Sequence, residues 1–195
     1  MHETLPLSQI HAAVLEFLQG RDDVVLFCAQ AVNAYVDQPR MTQDVDLLSN
    51  RALQFSEELR LHSGEKFHIV VRTREIKAGL GFRIYQVRGE GNRHLVDVRS
   101  VERLPKADLI ENILVLSPIE LIISKVNSLY SRQGKPKAGT DWRDLAVLLL
   151  RFPELKEKVE PALRESGVEQ GVLTSWAEIA SRPLQDDDDD GDLSF

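Results

Sequence analysis

The chain has little cysteine, few aromatic residues and no long apolar run. Of its 195 residues 6% are aromatic, and Cys28 is the one cysteine. A single thiol cannot close an intrachain disulfide, so covalent cross-links do not hold this fold together. Cys28 lies within the apolar run Val24–Ala29, and we therefore expect a buried thiol rather than a reactive one.

Other absences argue against several classes of site and location. No segment approaches the roughly 20 consecutive apolar residues that a membrane-spanning helix needs. The first residues lack the basic region and apolar core of a secretory signal. The five histidines show no ligand spacing with the cysteine, which argues against a zinc site. The expectation is a cytoplasmic protein with no membrane partner.

The formal net charge of −7 is concentrated near the C-terminal end. Six aspartates lie within the last ten residues. Without them the chain is close to neutral, so its overall acidity does not exclude a nucleic-acid partner. The stretch 183–195 has too few apolar residues to pack against a core, and we expect a disordered acidic tail there.

The spacing of apolar residues predicts a mixed α and β region up to about residue 105, followed by helices only. Ser117 and Pro118 supply an N-cap and a first helical residue, which marks the change to helical patterns. The predicted strands are 24–29, 44–48, 66–73, 81–88 and 94–99, and the predicted helices begin near residues 8, 51, 118, 140, 154 and 171.

Asp44 and Asp46 are the residues that point most directly to chemistry. Residues i and i+2 of a strand project from the same face, so these two carboxylates lie side by side. Like charges this close repel unless a cation lies between them, and carboxylate oxygens suit Mg²⁺ or Mn²⁺. The alternative is a chance pair of acidic residues at a strand end, because the motif alone is weak.

Asp97 lies in a second strand-like run, residues 94–98. If that strand lies beside Asp44 and Asp46, three carboxylates converge and can hold divalent ions for phosphoryl or nucleotidyl transfer. Asp97 could then also take the proton of an attacking hydroxyl. The alternative is a polar residue on the solvent face of a strand.

The run from Arg40 through Thr42 to Asp46 resembles the Arg-x-Thr-x-Asp-hydrophobic-Asp motif of the nucleotidyltransferase superfamily, in its AbiEii-like branch. That branch is known for the toxins of type IV toxin–antitoxin pairs in bacteria. Two later segments are similar to its lysine-bearing helix and its acidic pair, namely Pro118–Lys125 and Asp141–Leu145. The resemblance covers roughly two thirds of the chain, residues 24–150.

The resemblance implies an α+β fold, with a nucleotidyltransferase-type mixed sheet and flanking helices followed by a C-terminal helical bundle. The implied divisions are a core at 1–105, a helical region at 106–182 and the acidic tail at 183–195. A nucleotide is expected in the cleft between core and bundle. The implied metal-binding and catalytic residues are Asp44, Asp46 and Asp97, and the implied nucleotide-binding residues are Ala29, Gln30, Arg40, Thr42, Lys125, Asp141 and Asp144.

Ala29 and Gln30 depart from the branch, which carries Gly-Gly or Gly-Ser there. Glycine lets the backbone approach a triphosphate closely, whereas the Gln30 amide either hydrogen-bonds the phosphate or base, or blocks the pocket. The simpler interpretation of Lys125 is a solvated lysine on a helix. The simpler interpretation of Asp141 is an acidic residue that is favoured at a helix start.

Two functional hypotheses follow from the resemblance. The first is a Mg²⁺- or Mn²⁺-dependent, toxin-like nucleotidyltransferase that moves a nucleoside monophosphate from an NTP to a hydroxyl of tRNA or of a protein. The second is a catalytically impaired relative that binds nucleotide or a partner protein. A cognate antitoxin is an expected partner, and an antitoxin-like or structural role is a third reading.

Overall fold

The computed structural model describes residues 5–77 and 79–185 and forms two compact units. One unit holds the described residues up to Ala34 together with Gln38–Ser117. The other holds Tyr35–Asp37 and the described residues from Pro118 onward. The predicted α+β class is confirmed.

In the first unit, the helices are α1 (Leu7–Leu18), α2 (Cys28–Asn33) and α3 (Ala52–Phe67), and the strands are β1 (Val24–Phe27), β2 (Val45–Ser49), β3 (Val71–Ile76), β4 (Gly81–Gln86), β5 (Arg93–Ser100), β6 (Ala107–Ile110) and β7 (Ile113–Leu116). The strands form one mixed sheet in the order β3-β4-β5-β2-β1-β7-β6. β2 pairs in parallel with β5, and β1 with β7, while the other pairs are antiparallel.

The two faces of β2 differ in burial, which follows from its alternating sequence. Val45, Leu47 and Ser49 are buried on one face, and Asp46 and Leu48 are half-buried on the other. Helix α3 packs on the sheet and buries Phe55 and Leu59 completely. Asp46 therefore lies on the face of β2 opposite the buried Val45 and Leu47.

The region near residue 66 differs from the prediction of a strand at 66–73. Helix α3 continues through Gly64 to Phe67 and ends at His68, whose backbone adopts the left-handed conformation with φ +53°. The N–H of Ile69 donates to the Gly64 carbonyl at 3.3 Å, which closes the helix end. The strand β3 therefore begins only at Val71.

The expectation of helices alone after residue 105 is wrong for the segment that ends at Leu116. β6 and β7 form a hairpin there and extend the sheet of the first unit. Their connection consists of Glu111 and Asn112, both with positive φ, which is the type I′ arrangement that matches strand twist. Glycine is the usual signal for such a turn, and the sequence lacks it here.

The second unit consists of α4 (Pro118–Ser131), α5 (Lys137–Arg151), a 3₁₀ turn (Pro153–Leu155), α6 (Lys156–Glu165) and α7 (Gln170–Ala180). Helix α4 begins at Pro118, as the sequence predicts. Its buried Leu121, Ile122 and Val126 belong to the core with Leu145 of α5 and Trp176 of α7. None of the described helices combines the length and apolarity needed to cross a bilayer. The predicted acidic tail falls outside the described residues beyond Gln185.

Phe55→Ala tests the packing of α3 on the sheet. Phe55 is completely buried, so its loss creates a cavity, and we expect the free energy of unfolding to fall by about 3–5 kcal/mol. Leu53→Ala on the same helix is the control, because Leu53 is 60% exposed and its loss costs less than about 0.5 kcal/mol. Urea denaturation measures both, and equal losses would contradict this packing.

Candidate functional site

The sheet brings the three predicted carboxylates together. In the parallel pair of β2 with β5, Asp46 lies directly opposite Asp97. Asp44 immediately precedes β2, two residues before Asp46. All three aspartates are half-buried. The acidic groups of two separate segments thus meet at one place on the sheet.

Two basic side chains that the sequence did not suggest complete this cluster. Arg83 of β4 lies opposite Asp97 and grips it with two hydrogen bonds, Nε to Oδ1 at 2.8 Å and an Nη to Oδ2 at 2.9 Å. His94 bridges two aspartates, with Nε2 2.9 Å from Asp97 Oδ1 and Nδ1 3.2 Å from Asp44 Oδ2. An imidazole whose two nitrogens both face carboxylates is held as the cation that donates to each.

A β-bulge explains why His94 joins the site. Residues three apart on a regular strand point to opposite faces, which separates His94 from Asp97 in a sequence reading. In the structure Tyr85 pairs with His94 while Ile84 pairs with Val96, so Leu95 is an extra residue in β5. The bulge re-aims the strand and turns His94 towards Asp97. The consecutive buried residues Leu95 and Val96 are the sequence signal of this break in alternation.

The contacts divide the titrating groups of the cluster by their pKa. Hydrogen bonds to Asp44 and Asp97 raise the pKa of His94 to about 9. Burial disfavours charge on Asp97, yet hydrogen bonds from His94 and Arg83 hold its pKa well below the usual range. Burial and the neighbouring Asp44 charge raise the pKa of Asp46, against an opposing hydrogen bond from Cys28.

The donor set suits a divalent cation. Asp44, Asp97 and, once it has lost its proton, His94 each offer one ligand atom, and these atoms lie within 4.8 Å of one another. Carboxylate oxygens favour Mg²⁺ or Mn²⁺, while an imidazole also suits transition metals. The predicted ligand Asp46 lies beside Asp97 but outside this compact group. Arg83 and His94 now occupy the carboxylate oxygens that an ion would use.

Helix α2 anchors the segment that leads to Asp44. The Asn33 amide donates to the Arg40 carbonyl at 2.8 Å and accepts from the Arg40 N–H at 3.0 Å. Gln30 Oε1 accepts from Asn33 at 3.0 Å and from the Thr42 hydroxyl at 3.4 Å. Three predicted nucleotide-binding residues, Gln30, Arg40 and Thr42, therefore belong to one network, and they line an open cavity of about 280 Å³ beside α1.

The turn from β1 into α2 is the place where the sequence predicts a phosphate-binding glycine pair. The left-handed backbone lies at Cys28, with φ +63°, one residue before the predicted pair Ala29 and Gln30. Because a positive φ strongly favours glycine, Cys28 is the position of this turn at which glycine would be most favourable. Ala29 adjoins it in the first turn of α2.

In the second unit, Lys125, Asp141 and Asp144 bind one another. The Lys125 ammonium lies 2.7 Å from Asp144 and 3.5 Å from Asp141, and all three side chains are buried. Arg132 closes the group with a 2.6 Å contact to Asp141. This cluster joins α4 to α5, which excludes the plain reading of Lys125 as a solvated lysine. Its predicted contact with nucleotide phosphates stays a prediction.

Comparison with known proteins gives similarity in structure alone. No protein-family model matches the sequence, and no curated protein matches it. Among solved structures, the Megavirus polyadenylate synthase matches with a TM-score of 0.59 and 13% identity over 75% of this chain. This chain spans only 32% of the length of that enzyme.

Two further solved structures match along most of their own length. JHP933 from Helicobacter pylori has a TM-score of 0.55 and 12% identity, with 89% of this chain and 88% of that chain covered. ANT(2")-Ia in complex with adenylyl-2"-tobramycin has a TM-score of 0.51 and 15% identity, with 83% and 97% covered. This chain has the nucleotidyltransferase fold. Identities this low establish the fold and leave the AbiEii-like branch a hypothesis.

The bridging contact of His94 predicts how this nucleotidyltransferase-fold protein responds to pH without metal. The raised pKa means that His94 stabilises the folded state fully below about pH 6.5, and that this contribution is lost as pH rises through about 9. NMR titration should give a pKa near 9, and Asp44→Asn should lower it. A His94 pKa near its ordinary 6.5 in the wild-type protein would contradict the bridge.

The buried ion cluster makes a separate prediction for stability. Asp144→Asn leaves the Lys125 charge buried without its nearest carboxylate, and we expect a loss of about 3–5 kcal/mol in the free energy of unfolding. Lys125→Met with Asp144→Leu removes both charges and should cost clearly less than the single change. Glu160→Gln, in the exposed pair with Arg164, is the control and should change stability by less than about 1 kcal/mol. Urea denaturation of the variants decides the matter.

Proposed function

We propose that this protein transfers a nucleoside monophosphate from an NTP to a hydroxyl group of an RNA or a protein. The observation that carries the proposal is the register of β2 against β5, which sets Asp46 opposite Asp97 with Asp44 two residues away. Carboxylates grouped in this way on a nucleotidyltransferase fold suit a reaction in which a divalent cation held by them would neutralise negative charge on phosphate. The resemblance at Arg40–Asp46 adds a toxin-like role with a cognate antitoxin to the proposal.

The reaction is an in-line displacement at the α-phosphorus of the NTP. The acceptor oxygen forms a bond to that phosphorus, the bond from the α-phosphorus to the bridging oxygen of the β-phosphate breaks, and pyrophosphate leaves. A bound Mg²⁺ or Mn²⁺ supplies neutralisation of the triphosphate charge and activation of the hydroxyl. Asp44, Asp46 and Asp97 are the residues proposed to hold the metal.

A base must accept the proton of the acceptor hydroxyl. Asp46 and Asp97, which lie opposite each other, differ in their tendency to accept a proton. Asp97 is held ionised by Arg83 and His94, and its lowered pKa makes it a weak proton acceptor. Asp46 has a raised pKa and so a stronger tendency to take a proton. Without metal, Asp46 is thus the stronger proton acceptor of these two proposed metal ligands, while the sequence suggests Asp97 as the base.

The remaining predicted residues are proposed to bind the nucleotide. Arg40 and Thr42 lie on the segment that Asn33 fixes to α2, with Gln30 in the same network. Ala29 lies at the start of α2 beside the left-handed Cys28. In the second unit the proposed contributions are those of Lys125, Asp141 and Asp144, whose mutual ion pairs fix their geometry.

Asp46→Asn tests the transfer reaction. Each labelled NTP is incubated with Mg²⁺ and total RNA or cell protein, and transfer of label is measured together with release of pyrophosphate. We expect the rate of label transfer to fall more than about 100-fold in the variant. A loss of about 100-fold is the upper end of what is typical for a residue that acts from outside the ligand shell of a metal. Asp22→Asn, an exposed carboxylate of the same unit, is the matched control and should retain full activity. Equal rates in the wild type and Asp46→Asn would exclude this site from the chemistry.

Two observations favour a binding protein without catalysis as the second candidate. Arg83 and His94 already make three hydrogen bonds to Asp97, and Gln30 replaces a residue that is small in the AbiEii-like branch. Calorimetry with NTP and Mg²⁺ separates the candidates. Binding without release of pyrophosphate supports the binding protein, and release that disappears in Asp46→Asn supports the enzyme.

A further inference from the structure

The row of side chains that contains the carboxylates continues across the sheet to its edge. Reading the strand register outward, Asp46 lies opposite Asp97, Asp97 opposite Arg83, and Arg83 opposite Arg74. Residues directly opposite one another share a face of the sheet. Two arginines thus lie on the same face as the carboxylates, one strand and two strands beyond Asp97.

The neighbouring row on the outer two strands adds a third arginine and an aromatic ring. Arg72 lies opposite Tyr85, and each is two residues from an arginine of the first row, so all four share one face. We call Arg72, Arg74, Arg83 and Tyr85 the outer basic block. Strands are spaced about 4.8 Å apart, so Arg74 lies roughly 14 Å from Asp46.

The charges of this block are not balanced within the protein. Arg83 is paired with Asp97, whereas Arg72 and Arg74 are exposed and have no hydrogen bond or ion pair with any other described residue. Arg74 and Arg83 face each other as a like-charged cross-strand pair, which destabilises a sheet. The fold itself gains nothing from this arrangement, and an anion lying on the block would compensate it.

Protection of a sheet edge accounts for charged residues on β3 but not for two arginines on one face of it. Edge strands commonly carry charged side chains that prevent pairing with another chain. The opposite edge strand, β6, has Asp108 as its one charged residue and carries no arginine. Arginine is therefore concentrated at the edge whose rows lead to the carboxylates.

We propose that the outer basic block binds a single-stranded nucleic acid as the acceptor, with its terminal hydroxyl at the carboxylates. This inference rests on the proposed function and names the substrate class for it. Guanidinium groups bind phosphates through paired N–H donors. Tyr85, half-buried among the arginines, offers an aromatic surface for a base. Phosphate-binding cations interleaved with an aromatic side chain are the usual surface for single strands.

The test measures binding of fluorescent 12-nucleotide RNA and DNA single strands without NTP or metal, so that it does not depend on catalysis. Arg72→Gln/Arg74→Gln should weaken binding about tenfold at low salt. It should also reduce the slope of log affinity against log salt by about 1.4, because each lost phosphate contact on a single strand removes about 0.7. Arg72→Lys/Arg74→Lys keeps the charges and should retain most of the slope.

The matched control is Lys158→Gln/Arg164→Gln, which removes two exposed positive charges from α6 and should leave affinity and slope unchanged. Thermal unfolding of all variants verifies that each is folded. Comparison of the RNA and DNA strands shows which of the two the block binds more tightly.

The proposal is overturned if neither strand binds, or if Arg72→Gln/Arg74→Gln binds as the wild type does with the same salt slope. It is equally overturned if the control variant loses as much affinity as the block variant. Failure here is distinguishable from failure of the proposed function. In that case, pyrophosphate release with a protein acceptor that depends on Asp46 would show transfer without a nucleic-acid surface.

Discussion

The parallel pairing of β2 with β5 is the constraint on which the candidate site depends. Its register sets Asp46 opposite Asp97, although 51 positions of chain separate them. A shift of this pairing by one residue would turn Asp97 to the other face of the sheet. The buried Val45 and Leu47 of β2 and Val96 and Val98 of β5 prevent such a shift, because it would expose apolar side chains.

Gathering three carboxylates at one point costs electrostatic energy, and the surrounding residues show how the fold compensates. His94 joins Asp44 to Asp97, Arg83 grips Asp97, and Cys28 donates to Asp46. Each contact opposes the repulsion that burial in a lower dielectric strengthens. The two cationic side chains, Arg83 and His94, therefore hold the carboxylates in place.

The second unit also contains a cluster of buried charges, formed by different residues. Its buried Lys125 is paired with Asp144 and Asp141, and Arg132 completes the group. Buried charges of this kind contribute little to stability when paired but are costly when one partner is lost. Their value is therefore geometric: the pairs fix α4 against α5, together with the apolar contacts of Leu121 and Leu145.

The sequence by itself determined the elements whose signals are local, and the tertiary structure decided the rest. The run Asp44-Val45-Asp46 identified the acidic strand, and Pro118 marked a helix start, because strand alternation and capping act over a few residues. The hairpin of β6 and β7 was missed because its turn lacks glycine. His94 lies in the site because of a bulge in β5, and that bulge depends on pairing with β4. The hydrogen-bond partners of Lys125 lie 16 and 19 residues further along the chain. The bulge and the ion cluster depend on hydrogen bonds and packing between segments that are separate in the chain, and patterns of a few neighbouring residues do not encode such contacts.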